Sequence, residues 1–546
     1  MEYKNKTSIF AGDYRLINTQ RQDKSLSLFM EIKEKKNKGK KMKRWHKWGG
    51  LIFSFFFILF ALSGIFLNHR KEISGLEINR SWLPSSYHYN KWNNGAVKGT
   101  LKLSPDSILM YGGAGVFLTD SLMNSVNLYN KGIKEGADNQ IVGNIAKTTD
   151  GSLFAVTTFD LYSLDREDDK WNNMSGLLDT DERLSDIQSK GDTLVVLSRS
   201  HLFVATPPYK QFTKIELKAP YGYKKKATLF RTMWTLHSGE LFHLPGKLFV
   251  DLLGVVSIIL CVTGIIITFF PKIMKRRKKA KAETKRLGNV LKNSFKLHNK
   301  LGLSLLVFLI ALVLSGMFLR PPLLIAIIRS KVATIPGTIL HSENPWFDKL
   351  RCIRYDDSAN EWMFYSSEGF YGMSDFDVQP KELRYSPPVS VMGVNVLEKH
   401  ESGVWIVGSF SGLFYWSKET GNNIDAYTMM PAMVKRGGPP TFTNAVAGYS
   451  ADLMGVPVAF DYTVGAKPLK RSAIDMEMPD YITRNSKISL WHLCLEIHVG
   501  RIYSPIIGMF SDVFVFLAGL MGLSILITGY FMIRRRQKKQ KPASNP

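Results

Sequence analysis

The chain carries one apolar, histidine-headed segment twice. RWHKWGGLIFSFFFILFALSG runs from Arg44 to Gly64, and KLHNKLGLSLLVFLIALVLSG runs from Lys296 to Gly316. With His46 laid on His298, 252 residues on, both copies close on Leu-Ser-Gly at the same offset. A second pair repeats in the same way. LHSGELFHLPGKLFVD holds His237, Gly239 and Asp251; IHVGRIYSPIIGMFSD holds His498, Gly500 and Asp512, with fourteen residues from His to Asp in each. LLGVVSIILCVTG then matches LAGLMGLSILITG after four extra residues, about one helical turn.

The apolar runs Leu51–Leu67, Leu248–Phe270, Leu301–Leu319 and Val513–Ile533 each approach the roughly 20 residues that cross a bilayer as a helix. Trp45 and Trp48 precede the first run like an interfacial aromatic belt. Residues 1–47 hold 14 Lys/Arg against 5 acids, residues 272–300 hold 12 against 1, and residues 534–546 hold 6 against none. These three segments account for the whole formal charge of +26. Positive-inside bias therefore puts both termini and the middle loop in the cytoplasm and the two long segments outside. The basic charge describes topology, and no nucleic-acid partner is needed to explain it. Cys261, Cys352 and Cys494 form no C-x-x-C or C-x-x-C-H, so neither a redox pair nor covalent haem attachment is indicated. Residues 1–41 do not have the form of a signal peptide, and Met42 is a second candidate start.

Both halves run in the same direction, and such parallel repeats are related by an axis along the membrane normal. Equivalent residues then face each other at equal depth. His46 is expected opposite His298 near the cytoplasmic face, and His237 opposite His498 near the outer face. The motifs WHKWGGL…LSG, LHNKLGL…LSG, LHSG…GKLFVDLLG…TG and IHVG…GMFSDVF…TG resemble the PepSY-associated transmembrane family of bacterial inner-membrane proteins. The resemblance covers all four helices. It implies iron acquisition and, by likeness to ferric-siderophore reductases, b-type haem held between the helices. No PepSY domain is recognised in the outer segments.

Neutral imidazole is a good axial ligand for haem iron. The candidate ligands are His46, His298, His237 and His498, for one or two haem b groups, with His69 in IFLNHR as a substitute for one member of the outer pair. The repeat-mate of His69 is Pro321, so the duplication does not support it. His243 and His492 lie off the motif, His492 as a reserve. Asp251 and Asp512 could accept a hydrogen bond from a ligand imidazole, or could be helix-start carboxylates favoured by the helix dipole. Gly64, Gly254, Gly264, Gly316, Gly519 and Gly529 could admit a flat macrocycle or allow close helix packing.

Between the helices the pattern changes to period two. The pairs Leu109/Phe117, Leu153/Leu161, Leu194/Leu202, Trp362/Phe370 and Trp405/Leu413 are each eight residues apart, in hairpin-like copies spaced by 41 to 44 residues within each half; AVAGYSADLMGVPVAF is a weaker sixth. The spacing suits four-stranded propeller blades, and DGSLFAVTTFDLYSLD and ESGVWIVGSFSGLFYWS resemble the repeats of two-component-regulator propellers. Three hairpins in each half are expected to make one ring of about six blades, with residues 207–235 and 417–445, including KRGGPP, at rims or joints.

The expected fold is thus a four-helix membrane bundle with parallel internal duplication, plus an all-β extracytoplasmic part built from both halves. Its order is a basic arm (1–44), helix (45–69), periplasmic β region (70–235), helix (236–271), basic loop (272–297), helix (298–320), second periplasmic β region (321–490), helix (491–533) and cytoplasmic tail (534–546). The expected activity is electron transfer from a cytoplasmic or quinol donor to an extracytoplasmic ferric chelate or siderophore. The alternatives are a membrane sensor and a transporter with Asp251 and Asp512 as coupling groups. No Ser-His-Asp order, H-E-x-x-H or P-loop supports hydrolytic or nucleotide chemistry.

Overall fold

A computed structural model describes residues 5–432, 444–470 and 476–540. The KRGGPP stretch lies outside the described residues. The chain divides into a helical unit, residues 1–68, 228–330 and 497–546, and a β unit, residues 69–227 and 331–496.

The helical unit begins with α1 (Asn5–Asn68), so the basic arm is helical from Asn5 and continuous with the first apolar run. It continues with α2 (Leu229–Ser238), α3 (His243–Lys279), α4 (Lys285–Ser304), α5 (Leu306–Phe318) and α6 (Leu323–Ile327). In the later chain, α7 (Asp480–Asn485) belongs to the β unit, and α8 (Leu490–His498) leads through α9 (Ser504–Ile507) to α10 (Ser511–Gln540). Among the described residues three helices are long and apolar enough to cross a membrane, within Asn37–Asn68, Glu240–Lys279 and Arg501–Gln537. The pair α4 and α5 meets the same test only together, bent by 67°. Gly302 and Ser304 stand at the break, the residue types at which helices kink sharply. Phe55 is 62% exposed, and Leu248, Leu252, Leu517 and Phe531 are about half exposed. Such outward apolar faces on long helices call for lipid rather than water. The protein is a membrane protein with a β-rich domain.

Among its described residues the β unit holds six antiparallel meander sheets of three or four strands, besides the two-stranded pairings of Glu77–Asn79 with Lys487–Ser489 and of Lys226–Thr228 with Lys331–Ala333. Residues 69–227 supply three of four strands each, starting at Gly99–Ser104, Val142–Lys147 and Leu184–Lys190; residues 331–496 supply three more, starting at Leu350–Asp356, Val396–Lys399 and Val446–Ser450, the last of three strands. The hairpins follow the period-two text: Val156 pairs with Leu161, Leu197 with Leu202, Tyr365 with Phe370 and Gly408 with Leu413.

The first strand of each sheet touches the first strand of the next, and that of the sixth touches that of the first. A hydrogen bond crosses every junction of this circuit. Tyr111 donates to Asn144 (2.6 Å), Asn144 to Asp186 (2.8 Å), Arg354 to Asp186 (2.6 Å) and to the Leu397 carbonyl (2.7 Å), and Asn395 to the Val446 carbonyl (2.8 Å). Thr100 and Ser450 share the last, at 2.8 Å. Apolar clusters fill the spaces between neighbouring sheets, with Trp92, Phe117 and Phe460 between sixth and first and Trp346, Phe364 and Tyr371 between third and fourth. Burying these side chains yields about 1.5–3 kcal/mol each. Cys352 and Cys494 in this unit are free thiols, so packing, this hydrogen-bonded circuit and ion pairs such as Asp356 with Lys399 and Lys418 hold it without a disulfide.

Candidate functional site: two histidine pairs and their helix latches

The local sequence sets where each histidine stands. His237 and His498 each precede a glycine by two residues, and both glycines take left-handed backbone, φ 79° at Gly239 and 81° at Gly500. This is the glycine stop of a helix C-terminus, so α2 and α8 end immediately after their histidines. A side chain at Gly239 is excluded further, because its Cβ would fall 2.2 Å from the Gly246 carbonyl oxygen. His46 lies inside α1, and His298 lies in α4 just before the bend.

The helical unit brings the four rings into two pairs. The ring centres of His46 and His298 are 6.4 Å apart with planes at 88°, and those of His237 and His498 are 5.9 Å apart with planes at 53°. A metal ion between two imidazoles would hold their centres about 6 Å apart, from two bonds of about 2 Å plus about 1 Å from each nitrogen to its ring centre.

The inner nitrogens follow one rule. His46 Nδ1 lies 3.0 Å from the Ile525 carbonyl and 3.1 Å from the Thr528 hydroxyl; His237 Nδ1 lies 3.0 Å from the Leu312 carbonyl and 3.2 Å from the Ser315 hydroxyl. His498 Nδ1 lies 3.0 Å from both the Phe60 carbonyl and the Ser63 hydroxyl, and His298 Nδ1 lies 2.9 Å from the Thr263 hydroxyl with the Leu260 carbonyl behind it. In each latch the carbonyl belongs to the residue three before the hydroxyl. Each hydroxyl also donates to a carbonyl of its own helix, at 2.6 to 3.0 Å. Its proton is committed there, so its oxygen accepts. The carbonyl can only accept. Nδ1 therefore carries the proton in all four rings and Nε2 keeps its lone pair, the tautomer that a metal-ligating histidine takes when its other nitrogen is tied back.

The residue after each hydroxyl is glycine, and it makes the room. A Cβ built at Gly316 would lie 2.7 Å from His237 Cε1; at Gly529, 3.0 Å from His46 Cε1; at Gly64, 3.1 Å from His498 Cε1; at Gly264, 3.6 Å from His298 Cε1. Gly254 and Gly519 do something else. Their built Cβ atoms would meet Ile65 at 3.1 Å and Met317 at 2.4 Å, the close helix approach that small residues permit in membranes.

The latches join α1 to α8 and α10, and α3 to α4 and α2 to α5. The two facing pairs join histidines from opposite halves. The repeated Ser-Gly and Thr-Gly steps were the signal for these latches, visible at the end of all four apolar segments.

Asp251 and Asp512 stand elsewhere. Asp251 accepts from the Asn68 side chain at 2.9 Å, and Asp512 faces Arg320 at 3.4 Å. Asn68 and Arg320 are repeat-mates at the outer ends of the first and third apolar segments, so each aspartate ties the start of one span to the end of the span before it. His69 follows the last residue of α1 and accepts from the Ile73 amide through its carbonyl, at 3.2 Å. His243 begins α3 with φ 58° and is exposed. His492 lies in the β unit, 3.6 Å from Glu496.

No curated protein matches this chain. Several solved structures resemble it distantly, among them the following three. The extracellular domain of a hybrid two-component system from Bacteroides thetaiotaomicron is 9% identical with a TM-score of 0.32, covering 69% of this chain and 33% of its own. A structural-genomics protein of unknown function from the same organism is 10% identical with a TM-score of 0.33, covering 69% of this chain and 68% of its own. The extracellular domain of a one-component system from that organism is 9% identical with a TM-score of 0.31, covering 73% and 39%. The chain thus spans about a third of the first of these, and likenesses so distant carry no functional argument. The family described as PepSY-associated TM region matches residues 43–536, nearly the whole chain, and the protein belongs to it.

Proposed function

We propose that the protein is a transmembrane electron carrier whose two histidine pairs each hold one b-type haem. The observation that carries the reading is the repeated latch: four imidazoles, in two pairs at 6.4 and 5.9 Å, each tied back at Nδ1 with Nε2 free. The donor set fits the group, because two neutral imidazoles at one depth are the usual axial ligands of an electron-transfer haem. Bound there, haem would supply a one-electron couple, which no side chain of the chain offers. His46 and His298 would hold one group, and His237 and His498 the other. Ser63, Thr263, Ser315 and Thr528 orient the rings, and the adjoining glycines let them sit against the helices. The surrounding apolar spans keep water from the ligands.

On this reading the basic ends face the cytoplasm and the β unit lies outside as a six-bladed propeller, with blades from both halves. The circuit of first strands supports that architecture. An electron entering from a cytoplasmic or quinol donor would leave to an extracytoplasmic acceptor. A ferric chelate is the acceptor that the family resemblance favours, since Fe(II) is held less tightly than Fe(III) by hard oxygen ligands. The test is a reduced-minus-oxidised absorbance spectrum of the full chain purified from haem-replete cells. A sharp b-type α-band is expected, with about half its amplitude lost in His46→Ala and in His237→Ala. A colourless wild-type protein, or a band indifferent to both substitutions, would overturn the reading.

A further inference from the structure

Beyond the histidine sites, the helical unit has an open, surface-facing cavity of about 530 Å³ where α3 and α4 approach each other at their basic ends, lined by Pro271, Met274, Lys275, Lys278, Lys279 and Leu291. Its composition is split. Pro271, Met274 and Leu291 are its apolar lining, Pro271 directly following the apolar run Leu248–Phe270. Lys275, Lys278 and Lys279 fall on one face of α3 by helical spacing. All three are exposed, and none forms an ion pair with another described residue. The segment 272–300 offers only Glu283 against its 12 Lys/Arg, so the positive field at this cavity has almost no internal compensation.

The depth of the cavity is marked by its neighbours. Lys47 and Lys272 place their ammonium groups 5.5 and 5.9 Å from the centre of the Trp48 ring. Tryptophan with cations around it belongs at the level of the lipid headgroups. Lys275 is one helical turn from Lys272, and the apolar lining residue Pro271 adjoins the end of the apolar run. A basic pocket between helices at this level matches a lipid phosphate with its acyl chains along the span. We propose that this cavity binds an anionic glycerophospholipid of the leaflet facing the basic ends, its phosphate held by Lys275, Lys278 and Lys279. The lipid would brace α3 against α4, the helix that carries His298. The inference does not depend on haem.

Native mass spectrometry of the full chain in detergent, titrated with phosphatidylglycerol, phosphatidylcholine and inorganic phosphate in separate arms, tests it. Removal of all three in K275Q/K278Q/K279Q should weaken retention of phosphatidylglycerol on the order of 100-fold. The variant R276Q/R277Q removes two charges from the same helix outside the cavity lining and should weaken retention clearly less. Equal retention of phosphatidylglycerol and phosphatidylcholine by wild type would overturn the proposal. So would equal losses in the two variants, which would mean a diffuse basic surface. Displacement of the lipid by millimolar inorganic phosphate would replace a lipid site with a free-phosphate site, and capture of an acidic protein in preference to lipid would equally count against it.

Discussion

Gly316→Ala adds one methyl group at the tightest of the four imidazole cradles, and the structure sets how much it should disturb. The new Cβ would stand 2.7 Å from His237 Cε1, 3.2 Å from Nδ1 and 3.4 Å from Nε2. Carbon atoms pack best at about 3.5–4.0 Å, so the ring must retreat by roughly 1 Å. Its Nδ1 bonds to Leu312 and Ser315, at 3.0 and 3.2 Å, then stretch or break. Metal–ligand distances tolerate only about ±0.2 Å, so a shift of that size removes His237 as a partner of His498. The same substitution at the loosest of the four cradles, on the other histidine pair, is the internal control. At Gly264 the added Cβ would lie 3.6 Å from His298 Cε1, an ordinary contact. Alanine also favours helix over glycine by up to about 1 kcal/mol, so Gly264→Ala should be neutral or stabilising. The assay is haem per polypeptide and α-band amplitude on purified full-length variants. Gly316→Ala should lose about half of both and Gly264→Ala should lose neither. If the two behave alike, or if Gly264→Ala is the more damaging, the cradle geometry is not what seats the rings.

Thr263→Val keeps the shape of the side chain but deletes the hydroxyl 2.9 Å from His298 Nδ1; supporting contacts of this kind are worth about 10–100-fold in affinity, to be read as faster haem loss to apomyoglobin and a shifted midpoint potential with normal expression. In the β unit, Asp356 is 1% exposed and takes Lys399 and Lys418 at 2.5 Å each. Asp356→Asn removes one of the two carboxylates on Lys418, Glu361 remaining at 2.5 Å, and should cost about 2 kcal/mol, measured by denaturant unfolding followed at tryptophan. Burial alone would raise the Asp356 carboxyl, but the hydrogen bonds from Lys399 and Lys418 outweigh it and hold its pKa well below the usual carboxylate range. A depressed folded pKa gives stability that is present above about pH 4 and is lost as the pH falls toward the folded value. The wild-type β unit should therefore lose stability in acid more steeply than Asp356→Asn, and parallel curves for the two would refute the assignment.

Much of this was readable from one chain because the chain repeats itself. Aligning His46 with His298 and His237 with His498 named the residues that lie together. The same alignment marked the Ser-Gly and Thr-Gly endings, but their role was hidden. A hydroxyl and a carbonyl on one helix latch a histidine on another, and no spacing along the chain says which helix that is. Asp251 and Asp512 show the limit from the other side. Their place at the helix starts left open a hydrogen bond to an imidazole or a carboxylate favoured by the helix dipole; in the structure Asp251 accepts from Asn68 and Asp512 faces Arg320, contacts between spans that spacing along the chain does not give. In the β unit the eight-residue register exposed the hairpins, because period-two text and tight turns are local. The junction bonds Asn144–Asp186 and Arg354–Asp186 join strands that sequence order alone does not bring together.

By itself, then, the sequence determined what is set by short range and by solvent: where apolar runs are long enough for a bilayer, where the basic ends lie, where strands alternate and turn, and which residues are equivalent by duplication. Tertiary structure alone decided which helix latches each imidazole, that Nδ1 rather than Nε2 is tied back, that glycine at four steps is room for a ring, and that six sheets touch in a closed order. The reason is physical. Period and length act within one element, whereas a hydrogen bond or a 3 Å contact between elements depends on packing that the chain expresses only once all of it has folded.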